Sequence, residues 1–270
     1  MHNFSPLLAD TQHAIWSGVN RRRKPEDPDK PIVAISHHWR ASLDLRTPRD
    51  LENSPRHDSE RQAIRIRLTH SNEKMHDTRM LLQRKYASRG YTSSHLHKAP
   101  ESLPLMAYQG DQVIGTLTLG LDTPKGLMIE ELYQHEIDHL RAAGRKICEV
   151  TKLAVDQPQE SKRVLGALFH IAYIYSHVMG HTDVVVEVHP RHVSFYKRML
   201  GFQEYGPERL CSRVNAPAVM LRIEIEHVER QIELLGGQRE TARDRRSLYP
   251  YFLTKKDEAG IIKRLIRMNQ

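Results

Sequence analysis

Within Ile147-Cys-Glu-Val-Thr-Lys-Leu-Ala-Val155, residues Glu149, Thr151 and Lys152 set a carboxylate, a hydroxyl and a cation close together in an apolar, strand-like run. A carboxylate whose surroundings raise its pKa can accept a proton from an amine, directly or through water. A hydroxyl beside it can orient that carboxylate or bond a substrate. Strict alternation sets Glu149 and Thr151 on one face and Lys152 on the other, unless the strand bulges here. Directly downstream, a polar loop leads into Lys162-Arg163-Val-Leu-Gly166-Ala-Leu168. A helix starting there offers unpaired N–H groups and positive dipole to a phosphate. Lys162 and Arg163 add charge, and Gly166 lets backbone approach a ligand closely. An ordinary amphipathic strand with a basic loop fits the same letters, so the surrounding elements have to decide.

His135-Glu136-Ile137-Asp138-His139 spells HExxH, two imidazoles one helical turn apart around a carboxylate. The extended zinc-protease pattern calls for Gly and His further on, where Ala142 and Arg145 stand. On a helical wheel Ile129, Tyr133, Ile137 and Leu140 form the buried stripe, which leaves both histidines away from it. Seventeen histidines make the spacing an easy coincidence, so no metal ligand is assigned. His37, His38, His95 and His97 read as surface.

The 270 residues suffice for one large domain or two small ones. A formal charge of +8 calls for an acidic partner: nucleic acid, an anionic membrane surface or an acidic carrier protein. Two cysteines, Cys148 and Cys211, without CxxC spacing argue against a disulfide scaffold or thiolate metal site and suit a reducing cytoplasm. The start Met-His-Asn-Phe-Ser-Pro shows no secretory pattern, and no window approaches 18 apolar residues. A soluble, cytoplasmic protein is expected.

Residues 1–60 read as a loosely ordered basic arm containing Arg21-Arg-Arg-Lys24, with Ile32–Ile35 a lone strand or anchor. Alternation in Ile64–Leu68 marks a strand, and Ser71 caps a helix to about Arg89, closed by Gly90. Leu105–Tyr108, a Gly110-Asp111 turn and Val113–Leu119 form a hairpin. Next come a helix over roughly Gly126–Ala143, the Glu149 strand, a helix over about Ser161–Met179 and the apolar strand Val184–Val188. A short helix over His192–Leu200 and a last strand over Ala218–Ile225 complete a domain spanning 61–226. The segment 227–270 reads as a basic, mostly helical extension broken at Gly236-Gly237. This order predicts an α/β (α+β) fold with one central mixed sheet flanked by helices.

The order, with Arg163-x-x-Gly166 and Val188-His-Pro-Arg-His-Val-Ser-Phe-Tyr196-Lys-Arg-Met-Leu-Gly-Phe202, resembles the GNAT acyltransferases. The first segment is similar to their pyrophosphate loop, the second to their strand and short helix ending in Y-x-x-x-G-F. Glu149-Val-Thr151-Lys152-Leu-Ala-Val155 resembles the E-x-S-R-F-A-V strand of the autoinducer synthases, with Lys in place of Arg. The Glu130–Ile137 helix and Pro207–Pro217 look most like the FeeM-type N-acyl amino acid synthases. The resemblance covers roughly residues 63–226. It implies transfer of a fatty acyl group from acyl carrier protein to an amino acid or other small amine. A coenzyme A-dependent acetyltransferase or an autoinducer synthase is the alternative, and a nucleic-acid-binding module on a degenerate fold the rival of another class.

Further implications concern single residues. Glu149 would be the base, with Thr151 and Lys152 beside it, and this fold's bulge would bring Lys152 to the same site. Tyr196 matches the position of the acid that protonates the departing thiolate, and equally reads as core with Phe195, Leu200 and Phe202. Lys162, Arg163 and Gly166 would hold the pantetheine phosphate. Ala167-Leu168 replaces the family's second glycine and favours a single phosphate over the double phosphate of coenzyme A. No tightly bound cofactor is expected, the co-substrate being an acyl-pantetheine thioester on the carrier. No nucleic acid partner is expected, and the acyl product would bring the enzyme into peripheral contact with membrane.

Overall fold

A computed structural model describes residues 33–35, 64–68, 72–91, 101–156, 161–240 and 245–268. It has one eight-stranded sheet: β1 (Val33–Ile35), β2 (Ile64–Leu68), β3 (Ser102–Gln109), β4 (Gln112–Leu121), β5 (Ile147–Val155), β6 (Asp183–Val188), β7 (Gln203–Cys211) and β8 (Ala216–Glu224). Their spatial order is β1-β2-β3-β4-β5-β6-β8-β7. All pairs are antiparallel except β5–β6, whose connection is α3 (Ser161–Val178). A parallel pair needs such a crossover.

Alternation sends neighbours on each strand to opposite faces. Cys148, Val150, Val186 and Leu221 pack with Val164, Leu168, Ile171 and Ile174 of α3. Ile147, Val185 and Met220 pack on the other face with Tyr133, Ile137 and Leu140 of α2 (Glu130–Ala142). That is the stripe expected of this helix. Leu81 and Leu82 of α1 (Asn72–Ala87) cover Met106, Tyr108 and Ala154.

Helix α3 is apolar nearly all round, the pattern of a helix enclosed on every side. Its outer face meets the C-terminal segment. After α5 (Ile225–Leu235), the chain forms a 3-10 turn over Tyr249–Tyr251 and ends in α6 (Lys255–Met268). Leu248, Tyr249, Phe252, Leu253 and Ile261 belong to the same core as α3 and the sheet. His170 fixes the contact: its Nδ1 accepts from Leu253 N at 2.9 Å, and its Nε2 lies 3.3 Å from Glu258 Oε2. The extension is thus part of the principal core.

The edge strand β7 departs from expectation, because Gly206-Pro207 and many polar residues hide it. An edge strand tolerates proline, and its glycine has a packing reason. A Cβ on Gly206 would lie 2.6 Å from Cδ1 of Tyr133, whose hydroxyl donates to Pro207 O and Ala218 O. Helix α4 (Pro190–Leu200) starts two residues before the expected His192 because His189 caps it, Nδ1 accepting from Arg191 N, with Pro190 at its first position. Apart from Val33–Ile35, the 1–60 arm lies outside the described residues, as do His95 and His97.

Candidate active site

Strands β5 and β6 pair for only four residues, Ile147–Val150 against Asp183–Val186. On the other side of β5, Thr118 pairs with Thr151 but Thr116 with Ala154, so β5 carries one extra residue. The bulge falls at Lys152, whose φ of 52° lies in the left-handed region. Beyond Val150 the β5–β6 ladder stops, so the two strands diverge alongside Thr151 and Leu153. The bulge returns Lys152 to the face that simple alternation denied it. Glu149, Thr151 and Lys152 all line one cavity of about 200 Å³ on the α1/α2 side of the split.

Glu149 is 1% exposed. Its Oε1 accepts from Met128 N at 2.9 Å and its Oε2 from Ile129 N at 3.0 Å, at the start of α2. Ile129 makes no side-chain cap, so this carboxylate from a distant strand takes that place and meets the helix dipole. Gly120, opposite Glu149 on β4, makes room: a Cβ there would lie 2.6 Å from Glu149 Cγ. Burial pushes the Glu149 carboxyl above its usual range, with Glu187 pushing the same way, while the two amides and Arg213 oppose the shift. Each oxygen has two acceptor lone pairs and keeps one after its amide bond.

Thr151 Oγ1 is buried without a hydrogen-bond partner. Burial lowers the pKa of Lys152, opposed by Glu149. The facing wall holds groups that the sequence reading passed over. Arg213 pairs with Glu187 and Glu131 and donates to Met128 O. Cys211 is pushed up to about 11, first by burial and then by Glu187. Tyr86, Arg89 and Tyr91 close the α1 side, with His189 and His192 at the start of α4. Burial and the cations Arg89 and Arg191 lower His192 to about 4, so its ring is neutral near pH 7. A lone glutamate in the apolar run Val184–Val188 was the one signal for this wall.

Sequence comparison matches residues 77–224, more than half of the chain, to N-acyl amino acid synthase FeeM. The chain belongs to the FeeM family of N-acyl amino acid synthases. Among solved structures, FeeM from uncultured soil microbes is 23% identical, with a TM-score of 0.54 covering 60% of this chain and 95% of that one. The AHL synthase LasI is 18% identical, with a TM-score of 0.45 over 60% of this chain and 90% of that one. An N-acetyltransferase from Staphylococcus aureus Mu50 is 11% identical, with a TM-score of 0.41 over 60% and 98%. No relative is found among curated proteins. The mixed sheet flanked by helices is a GNAT fold, and this FeeM-family chain is an acyltransferase.

Two sequence readings, of Tyr196 and of Gly166, look different inside this FeeM-family fold. Tyr196 is not brought to the Glu149 cavity. Its ring packs edge-on against Phe169, Phe195 and Phe202, and burial raises its phenol further, which suits core rather than proton donation. Gly166 lies more than a turn into α3, where an added Cβ would sit 2.7 Å from Tyr251 Cβ. Its missing side chain makes room for the C-terminal segment rather than for a phosphate. Lys162 and Arg163 do stand in the first turn of α3, after residues 157–160 that lie outside the described set. In α2, His135 and His139 are exposed and Glu136 is engaged by Arg209 through both oxygens. Among the described residues no group of three His, Cys, Asp or Glu is arranged to hold a metal, and no helix is long and apolar enough to cross a membrane.

Proposed function

We propose that this enzyme moves a fatty acyl group from acyl carrier protein to the amine of an amino acid, releasing an N-acyl amino acid. The observation carrying the proposal is Glu149, a buried carboxylate at the cavity beside the split of β5 and β6. The thioester lies in the split between the two strands. The amine attacks the carbonyl carbon, the C–S bond breaks, and the sulfur leaves on the pantetheine. Glu149 takes the proton that the attacking nitrogen sheds; its raised pKa brings it nearer the basicity this transfer needs. Thr151 Oγ1 supplies a hydrogen bond to the bound amine or carbonyl.

Lys152 supports an amino acid acceptor. Its side chain lines the same cavity as Glu149 and can give the acceptor's α-carboxylate a charge-assisted hydrogen bond. Carrier protein as donor is supported by the start of α3. With Gly166 committed to Tyr251, the first-turn amides, Lys162 and Arg163 suit a single pantetheine phosphate. Two buried free thiols suit the cytoplasm as the compartment. Mass spectrometry of organic extracts from cells overproducing the enzyme tests the reading. N-acyl amino acids absent from vector controls are expected, and extracts indistinguishable from those controls would overturn it.

A further inference from the structure

Where α1 ends and α4 begins, the wall of the Glu149 cavity carries Arg89, Tyr91 and His192. Arg191 joins them from the first turn of α4. Arg89 Nη1 lies 3.4 Å from His192 Nε2, and Arg191 Nε donates to the same nitrogen at 3.3 Å. His192 is neutral near pH 7, held low by burial first and then by these two cations. A neutral imidazole offers one acceptor nitrogen, so two guanidinium groups share a single lone pair, each at more than the ordinary hydrogen-bond distance. Tyr91 fixes Arg191 further: Nη2 donates to Tyr91 Oη at 2.7 Å, and the guanidinium carbon lies 5.1 Å from the ring centroid. Among the described residues neither arginine has a carboxylate within ion-pair distance. The carboxylates of the cavity are committed elsewhere, Glu187 to Arg213 and Glu149 to the amides of Met128 and Ile129. Two cations gathered on one neutral ring repel each other, and an anion between them reverses that cost.

We propose that Arg89 and Arg191 form a second carboxylate site, and that the acceptor is an acidic amino acid whose side-chain carboxylate they take. This rests on the acyl-transfer reading above, which leaves the acceptor's side chain open. Glu149, Lys152 and Arg89 line one cavity. An amino acid whose amine faces Glu149 and whose α-carboxylate meets Lys152 has its side chain left to reach Arg89. A side-chain carboxylate there accepts from both guanidinium groups and relieves His192 Nε2 of one donor. The planar fork of arginine matches a carboxylate through parallel N–H donors. A neutral side chain leaves the two cations unanswered, and a lysine or arginine acceptor adds a third positive charge. Selection thus works by repulsion as well as by attraction.

The test titrates the full-length enzyme calorimetrically with glutamate, glutamine, aspartate and asparagine, without donor. Transfer to each of the four from one acyl-carrier is assayed separately. Wild type favours each acid over its amide by about tenfold or more, the worth of a hydrogen bond to a charged group. Replacing Arg89→Gln and Arg191→Gln together erases that preference. Both side chains are exposed, so the double variant folds, which thermal melting checks. Wild type that binds acid and amide alike would overturn the inference, as would a folded double variant that keeps the preference. A double variant whose only loss is in KM for the acyl-carrier would also overturn it, placing a donor phosphate at the two arginines instead. An acid preference in binding that the double variant loses, with no transfer to any acceptor, would uphold the site and remove the acyl-transfer reading.

Discussion

Glu149 caps the start of α2 and, in the proposed reaction, takes the proton of the attacking amine, and its substitution should separate the two. Glu149→Gln keeps the shape but turns an NH₂ toward one of the two amides it now caps. A loss of about 1–3 kcal/mol in stability follows from that unsatisfied donor. Transfer falls at least about a hundredfold, the scale of a general base. Denaturant melts and single-turnover rates on the folded variant check both, and near-normal turnover would remove the base. The base must be deprotonated, so kcat/KM in wild type should rise with pH through a value above the usual carboxylate range. An acid limb within the ordinary range would contradict the buried Glu149. Lys152 separates differently, because its positive φ is strained for any residue but glycine. Lys152→Gly should gain about 1 kcal/mol in stability while raising KM for the amino acid about tenfold or more. Stability and KM that move together for the worse would contradict this placement. That Glu149 and Thr151 share one face was readable from strand alternation. The capping role of Glu149 was not, since its partners lie about twenty residues upstream and leave no local mark.

At the level of elements, the strand and helix order was readable because the apolar periods are strong. Three features were not. The bulge at Lys152 has no glycine to announce it, and entered only through resemblance. Strand β7 was masked by Gly206-Pro207. The 227–270 extension reads as an appended basic tail because its apolar residues are sparse, yet they complete the burial of α3. Its attachment has a pH signature. His170 Nδ1 accepts from a backbone amide, so the neutral ring carries its proton on Nε2, directed at Glu258. Burial lowers the His170 pKa; Glu258 is also lowered, despite burial, by His170 and Lys255. Both depressed values mean that the unfolded chain binds protons more readily. Stability is therefore full above the ordinary histidine value of 6.5 and is lost as pH falls below it. Melting temperature followed downward from about pH 7 should decline from that point, and more steeply in Glu258→Gln, which removes the carboxylate that holds the His170 value up. Equal slopes in both proteins would show that this pair does not govern the acid response.

Across the whole molecule, a net charge of +8 fits a small acidic protein partner steered to the α3 start. Raising salt from 0.1 to 1 M shortens the Debye length from about 10 Å to about 3 Å and should weaken transfer from the carrier through KM. Reversing Lys162 and Arg163 to Glu should reduce transfer from the carrier-bound donor more than from a short thioester without the carrier. Equal losses with both donors would argue against recognition at this helix start. The most direct measurement combines purified enzyme, a fatty acyl group on acyl carrier protein and an amino acid mixture, with products followed by mass spectrometry. The expected result is an N-acyl amino acid formed as the acyl-carrier is consumed, at least about a hundredfold slower with Glu149→Gln. An intact acyl-carrier, or one consumed without any N-acyl amino acid appearing, would contradict the proposed activity.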